Sequence, residues 1–242
     1  GNKFEFRMLG SSQNIAMPNT VLNTAVAKVL KDFADVLEKS NDVISDAKKL
    51  IKETLSAHKR IIFNGNGYSE EWIAEAEARG LLNLKTSVDA YPCLLDPKNI
   101  SLFSELNVMN EAELRARHAV LFETYCKTIG IEARTMIDMV NRKIIPAIEK
   151  YVCDLSKTAK LKKEICGECH IGIEKELILK LSELCENIYS SSQKLKDYAV
   201  VAKSKKNSRE SAEYYRDTVI PEMFRLRLSV DAAERLTPAD VW

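Results

Sequence analysis

Glycine and proline are scarce in this sequence of 242 residues, which contains 8 glycines and 6 prolines. β-Sandwiches and barrels use these residues in their many turns, so the low counts argue against both classes. No apolar run reaches the roughly 18 residues that a membrane-spanning helix needs, and no basic and then apolar signal segment precedes Phe4. The sequence therefore predicts no membrane partner and no secretory leader.

An excess of charge of one sign is absent as well. Lysine and arginine total 36 against 35 aspartates and glutamates, which gives a formal charge of +1. Domains that bind the nucleic-acid backbone usually carry a strong basic excess, so we expect no nucleic-acid partner. Hydrophobic residues make up 45% of the chain, a composition typical of a globular protein with a substantial core.

Disulfide staples are not expected either. The six cysteines lie mostly within apolar helical patterns, in a chain too large to depend on cross-links. We therefore predict reduced thiols and a cytoplasmic protein. The six are Cys93, Cys126, Cys153, Cys166, Cys169 and Cys185.

Apolar residues recur at helical spacing through most of the chain. This periodicity predicts an all-α fold, a multi-helix bundle of long helices with kinks. Pro146 and Pro221 are expected to kink or break their helices, and residues 81–97, which show no period, are predicted as a long ordered loop. The polar, basic residues 203–209 are predicted as an exposed turn. The first predicted helix begins near Pro18, and the second follows Asn41 or Asp42 as its N-cap. A third, short helix follows Ser69 and ends at Gly80. Further helices are predicted at 97–106, 110–129, 131–152, 154–166, 171–203 and 208–236.

One apolar stripe in this pattern is especially long. It lies within residues 171–203, and we expect it to form core or a helix–helix interface. Its members are Ile173, Leu177, Ile178, Leu181, Leu184, Ile188 and Leu195.

A single segment departs from the helical pattern. Residues 3–8 alternate polar and apolar side chains, which predicts one β-strand before the helices. A lone strand leaves its backbone N–H and C=O groups unpaired, so it needs a partner strand. We expect its sheet to lie upstream, in a longer protein of which this chain is the C-terminal part. Pairing with a second copy of itself is the alternative.

The same segment carries a resemblance to a known family. Residues 3–7 (Lys-Phe-Glu-Phe-Arg) and 10–13 (Gly-Ser-Ser-Gln) resemble the last catalytic-domain strand and the following loop of type III glutamine synthetases. The resemblance spans essentially the whole chain and implies that residues 1–27 end the catalytic domain and that 28–242 form a helical C-terminal domain. Residues 63–69, 79–84, 132–140 and 214–217 resemble segments of that extension.

The resemblance implies a function that the residues alone do not establish. It implies an ATP-dependent ligase that makes glutamine from glutamate and ammonia through γ-glutamyl phosphate, with Glu5 as a ligand of a catalytic Mg²⁺ or Mn²⁺. It implies that Arg7 binds the glutamate substrate and its phosphorylated form. On spacing alone, Glu5 and Arg7 are instead typical of a solvated strand face with a weak ion pair.

The resemblance also implies how the chain works within the intact enzyme. That enzyme is expected to be a cytoplasmic homo-oligomer of dodecameric rings, with active sites between neighbouring subunits. No catalytic residue is assigned within this chain. We expect the chain alone to bind no cofactor, to be inactive, and to have a mainly structural role in assembly, with regulation as a further hypothesis. The alternative is a stand-alone helical interaction module without catalysis.

Two short motifs allow more than one interpretation. Residues 166–170 (Cys-Gly-Glu-Cys-His) match the c-type haem attachment pattern, or half of a zinc site completed by Cys153, Cys185 or His118. They are also typical of a turn between two helices. Residues 64–67 (Asn-Gly-Asn-Gly) suggest a phosphate-binding loop, but the pattern lacks the P-loop lysine, and a tight turn that uses φ > 0 is the structural alternative.

Overall fold

The described residues of the protein are almost entirely helical. The computed structural model describes residues 14–167 and 170–242, and no β-strand occurs within these ranges, so the all-α class is confirmed there. The strand predicted at residues 3–8 lies outside the described residues, and the domain boundary after residue 27 stays a prediction. The α-helices are α1 (Ala16–Leu37), α2 (Val43–Ala57), α3 (Glu70–Ala78), α4 (Ser87–Ala90), α5 (Pro97–Glu105), α6 (Glu111–Met139), α7 (Ile145–Cys166), α8 (Gly172–Lys203), α9 (Ser208–Tyr214) and α10 (Ile220–Glu234).

The described residues group into two compact units, one that ends at His118 and one that runs from Ala119 to Trp242. In the first unit, α1 contacts α2 and α5. Its small core contains Phe103, Met109 and Leu114, with Met17 from α1 packed against it. The first unit therefore has a small core of its own, to which α1 contributes at its N-terminal end.

Short polar side chains and one glycine set several helix ends where the sequence places them. The Asp42 carboxylate accepts a hydrogen bond from the Ser45 N–H at 3.2 Å at the start of α2. The Ser69 hydroxyl accepts one from the Trp72 N–H at 3.3 Å at the start of α3. Each cap satisfies a backbone donor that has no partner within its helix. Gly80, which follows α3, has φ +74°, a conformation that glycine adopts without a steric penalty.

Three local predictions were wrong. Helix α6 continues through Gly130, and α7 continues through Cys153, where the sequence suggested helix breaks. The predicted loop over residues 81–97 contains α4 and a 3₁₀ turn, Tyr91–Leu95. The hydroxyl of Thr86 caps α4 by accepting a hydrogen bond from the Asp89 N–H at 3.2 Å. A four-residue helix is too short to show a hydrophobic period, which explains why the pattern missed it.

The two internal prolines share one structural solution. A five-residue π-helical turn, Val140–Ile144, precedes Pro146, and a second, Tyr215–Val219, precedes Pro221. Proline lacks an N–H, and its ring clashes with the carbonyl four residues earlier in a regular α-helix. The widened π turn contains that earlier residue in both cases. The chain therefore stays helical through both prolines, so neither helix breaks, and the alternative expectation of a kink stays a prediction.

The core of the second unit is organised around α8, which contacts α7 and α10. Leu181, Ile188, Leu195 and Ala202 recur every seven residues and are all 0% exposed. This spacing keeps one face of a long helix turned toward its neighbours. The stripe predicted from the sequence is thus core at these leucine and isoleucine positions, whereas Ile173 at its start is 74% exposed.

An ion pair joins the end of α7 to the start of α8. The Lys162 ammonium donates a hydrogen bond to Glu174, whose side chain is 8% exposed. This hydrogen bond, followed by one from a backbone N–H, holds the pKa of Glu174 below its usual value of 4.5. The folded state is therefore stabilised by the ionised carboxylate above pH 4.5, and the stabilisation is lost as the pH falls through the lower pKa of the folded state.

The variant Lys162→Gln tests this pair through its pH dependence. Thermal unfolding followed by circular dichroism should give a lower melting temperature for the variant than for the unmodified chain at about pH 6. The difference should shrink as the pH falls below 4.5. Lys160→Gln, which removes an exposed lysine 4.0 Å from Glu164, is the control and should show a smaller difference. A deficit for Lys162→Gln that stays constant down to about pH 3 would contradict the assignment.

None of the helices within residues 14–167 and 170–242 combines the length and the apolar character that crossing a membrane requires.

Candidate functional site

The residues that the resemblance assigned to the chemistry, Glu5 and Arg7, lie outside the described residues, so their roles stay predictions. Cys169 of the Cys-x-x-Cys-His motif lies outside them as well. Cys166 closes α7, and Gly167 and His170 both have positive φ, +68° and +55°, before α8 begins. This backbone supports the turn interpretation of the motif.

The candidate zinc ligands do not come together in the described part of the chain. No group of three histidine, cysteine, aspartate or glutamate side chains suited to a metal ion occurs among residues 14–167 and 170–242. The Cys185 thiol is buried and donates a hydrogen bond to Glu149 at 3.4 Å. Burial, followed by the nearby carboxylate, raises the pKa of Cys185 to about 11. A zinc ligand must be a thiolate, so this environment disfavours Cys185 in that role.

The Asn-Gly-Asn-Gly segment forms a turn, but for a different reason from the expected one. Neither Gly65 nor Gly67 has a positive φ. A β-carbon on Gly65 would lie 2.6 Å from the Phe63 ring, and that ring stacks on Trp72 with centroids 3.9 Å apart. Glycine is therefore needed at position 65 because an aromatic ring occupies the adjoining space, and the segment serves local packing.

A pocket of about 430 Å³ lies between α6 and the turn that joins α8 to α9. The sequence did not identify it. Five basic residues and one acidic residue line it, a formal balance of +4 in a chain whose total is +1. Positive charge is thus concentrated at this place in an otherwise balanced protein. The charged lining residues are Glu123, Lys127, Arg134, Lys203, Lys205 and Lys206.

Gly130 and Tyr215 line the buried side of the pocket. Tyr215 belongs to the π turn before Pro221 and is 2% exposed. A β-carbon on Gly130 would stand 2.8 Å from the Tyr215 hydroxyl, so glycine permits the tyrosine to approach α6 this closely. Burial raises the pKa of Tyr215, which keeps its hydroxyl protonated and able to donate. No hydrogen bond joins this hydroxyl to another of the described residues.

The cations around the pocket differ in how they are held. The Nε of Arg134 donates to the Gly130 carbonyl at 2.9 Å, which anchors the guanidinium at the pocket. Lys127 pairs with Glu123 at 2.6 Å, and the Lys205 ammonium lies 4.5 Å from the centre of the Tyr214 ring. Lys203 and Lys206, also in the lining, make no ion pair with any residue in the described part of the chain. At least three cations are thus available to an anion.

Hydrogen bonds from α9 position the lysine-bearing turn. The Ser211 hydroxyl donates to the Ala202 carbonyl at 2.8 Å, and the Asn207 side chain accepts from the Glu210 N–H at 2.9 Å. The Cys126 thiol donates to the Ser208 carbonyl at 3.4 Å, and burial raises its pKa. Because a protonated thiol is a poor nucleophile, Cys126 connects α6 to α9 rather than supplying chemistry.

We expect Gly130→Ala to lower the free energy of unfolding by about 1 kcal/mol. Overpacking against a buried side chain costs about 1–3 kcal/mol, and the helix propensity of alanine offsets about 1 kcal/mol of it. In a Tyr215→Phe background the nearest contact disappears, and the same substitution should become neutral or stabilising. Urea denaturation of the four chains measures both effects. An equal cost in the two backgrounds would refute the close contact.

Comparison with known proteins shows what this chain is similar to. Residues 46–163 match the family model of the glutamine synthetase C-terminal domain. The Type-3 glutamine synthetase of Dictyostelium discoideum is 34% identical over 249 residues, an alignment that covers 100% of this chain. The chain is thus similar to the glutamine synthetase C-terminal domain over residues 46–163, slightly less than half of its length.

Two further relatives are also similar over all or nearly all of the chain. The glutamine synthetase of Butyrivibrio fibrisolvens is 34% identical over 244 residues, or 98% of this chain. That of Bacteroides fragilis (strain YCH46) is 31% identical over 250 residues, or 100% of this chain. The resemblance to type III glutamine synthetases is thereby confirmed. The chain spans about a third of each relative, 34% of its length in all three.

Two segments that carried the resemblance meet at the pocket. Residues 132–140 supply Arg134, and residues 214–217 supply Tyr215. The lysines within residues 203–206 are the signal in the sequence that points here, and from the sequence they predict only an exposed turn. The sequence could not show that α6 faces this turn, because Arg134 on α6 and Lys203 at the start of the turn are about 70 residues apart.

Proposed function

We propose that this chain is the C-terminal helical portion of a glutamine synthetase, an ATP-dependent ligase that makes glutamine from glutamate and ammonia through γ-glutamyl phosphate. The similarity to proteins named glutamine synthetase over 98–100% of the chain carries this proposal. Because the chain spans about a third of their length, the activity belongs to the whole protein. We also propose that this whole protein is cytoplasmic.

Two residues of this chain are proposed to take part in the chemistry. Glu5 would supply a carboxylate oxygen to Mg²⁺ or Mn²⁺, the kind of ligand that these cations prefer. When bound, the metal would neutralise charge on the phosphates of ATP. Arg7 would hold the glutamate substrate and its phosphorylated form through the planar guanidinium, which suits both carboxylate and phosphate. Both roles rest on the resemblance of residues 3–7.

The 242-residue chain alone is expected to form no glutamine. The assay is ATP-dependent glutamine formation by the purified chain beside the full-length protein, with Mg²⁺ or Mn²⁺ supplied. In the full-length protein, Glu5→Gln should reduce the rate and weaken the response to added metal, whereas Glu53→Gln, an exposed change on α2, should alter neither. Glutamine formation by the chain alone, or equal behaviour of the two variants, would overturn the proposal.

We further propose that the helical portion supports assembly of a homo-oligomer. Within the described residues, α1 and α2 expose large apolar side chains, including Leu30 (60%), Ile44 (70%) and Leu55 (57%). Soluble proteins rarely leave such surface uncovered unless a partner packs against it. A second copy of the protein is the proposed partner, in keeping with the dodecameric rings that the resemblance implies.

The assembly proposal is tested in the full-length protein by light scattering. The double variant Leu30→Glu with Ile44→Glu should shift the mass toward smaller species, because two charges would enter an apolar interface. Leu161→Glu, at a position 57% exposed on α7, is the matched control. Deletion of the residues after about Leu37 should have a still larger effect. Unchanged assembly and kinetics after that deletion would refute the role.

The stand-alone interaction module remains the competing hypothesis, and the gene distinguishes the two. A coding region that continues upstream of Gly1 in the same reading frame supports the ligase. A start codon immediately before Gly1 supports the module.

A further inference from the structure

We propose that the basic pocket between α6 and the α8–α9 turn binds a small molecule that carries two or more phosphate groups. This binding is separate from the proposed ligase chemistry, since none of the pocket residues is assigned to that reaction. The first observation is charge. The lining has a formal balance of +4, and one of its cations, Lys127, is already paired with Glu123. A ligand with several negative charges complements this lining better than a single carboxylate does.

The second observation is the polar groups that converge on one wall. Arg134 uses Nε to hold the Gly130 carbonyl at 2.9 Å, so the guanidinium is fixed while its terminal nitrogens make no hydrogen bond to another described residue. The Tyr215 hydroxyl, on a side chain 2% exposed, lies beside Gly130 without a hydrogen-bond partner among the described residues. A fixed guanidinium and a buried hydroxyl donor suit the oxygens of a phosphate group.

The third observation is the turn on the opposite side. Lys203 and Lys206 follow one another closely at the end of α8 and make no ion pair with a described residue. The hydrogen bond from Ser211 to the Ala202 carbonyl fixes the base of this turn. The two ammonium groups can therefore bind a second phosphate while Arg134 and Tyr215 bind the first.

The size of the pocket favours a small molecule over a polymer. A volume of about 430 Å³ lies within the range of small-molecule sites, about 300–1,000 Å³. A nucleic acid would need a basic surface that continues along the protein, whereas the total charge of the chain is only +1. Ile131, which also lines the pocket, offers an apolar contact to the part of the ligand that carries no phosphate.

Isothermal titration calorimetry on the 242-residue chain tests the proposal with inorganic pyrophosphate and with ADP as probes. We expect saturable binding of one molecule per chain, weakened by added sodium chloride because the contact is ionic. Lys203→Gln with Lys206→Gln should raise Kd tenfold or more, since two charge-assisted contacts are lost. Tyr215→Phe should raise Kd about three- to tenfold through the loss of one hydrogen bond.

The control is Lys150→Gln with Lys196→Gln. It makes the same change in charge at two exposed positions of the second unit outside the pocket and should leave Kd within about twofold. The altered residues of both double variants are exposed, so loss of folding does not confuse the comparison, and circular dichroism verifies it. Tighter binding of ADP than of pyrophosphate would identify a nucleotide ligand, and equal binding a ligand recognised through phosphate alone. Absence of saturable binding, or equal weakening by the two double variants, would overturn the proposal.

Discussion

Replacing Leu195 with alanine is expected to lower the free energy of unfolding of the chain by about 2–5 kcal/mol. Leu195 is 0% exposed and belongs to the core of the second unit, together with Ile188 from the same helix and Leu226 from α10. Removal of its side chain loses the burial of apolar surface and leaves a cavity that rigid neighbouring helices fill only in part. Urea denaturation at constant temperature measures the loss.

The control for this substitution lies on the same helix. Leu179→Ala makes the same chemical change at a position that is 61% exposed, so it should cost no more than about 0.5 kcal/mol. Comparable losses at the two positions would mean that α8 does not turn the Leu195 face toward α7 and α10. A selective loss at Leu195 would establish the orientation of the longest described helix.

The second large effect is expected from Ser191→Ala, at about 1–3 kcal/mol. The Ser191 hydroxyl on α8 donates to Oε1 of Glu222 on α10 at 2.5 Å, and the Glu222 side chain is only 3% exposed. Arg225 donates to the other carboxylate oxygen at 2.7 Å. Without Ser191, a buried carboxylate keeps its desolvation cost but loses one of the two side-chain donors that it has among the described residues.

Three further variants make this prediction specific. Ser190→Ala changes the neighbouring, exposed serine and should leave stability within about 0.5 kcal/mol. In a Glu222→Leu background, Ser191→Ala should be nearly neutral, because no buried carboxylate remains to be satisfied. Urea denaturation of all the chains completes the cycle. A Ser191→Ala cost that persists with leucine at position 222 would locate the effect elsewhere.

Much of the fold followed from local pattern. The long helices are predictable because apolar residues repeat at helical spacing. Asp42, Ser69 and Gly80 mark helix ends through properties of their own side chains or backbone. The prediction errors arose where a residue far away in the sequence determines the local structure. Gly130 lies between two predicted helices, 110–129 and 131–152, yet α6 continues through it, and the Tyr215 hydroxyl occupies the space where a β-carbon would stand.

The candidate sites divide in the same way. Residues 166–170 match a metal-binding motif because the types and spacing of the candidate ligands are local properties of the sequence. Local spacing does not show whether residues far along the chain supply the other two ligands. The basic pocket between α6 and the α8–α9 turn shows the reverse. Its lysines are visible as a run, but Arg134 and Tyr215 become partners only when α6 packs near α9.

The sequence by itself determined the helical class, the positions of most helices and the resemblance of this protein to glutamine synthetases. These properties depend on residue type and on spacing over a few turns of helix, which any stretch of chain carries with it. Only the tertiary structure decided which apolar faces are buried, how Pro146 and Pro221 remain within helical segments, and where Arg134 meets the lysines of the α8–α9 turn. Those outcomes depend on side chains that are far apart along the chain and that meet only after the helices have packed.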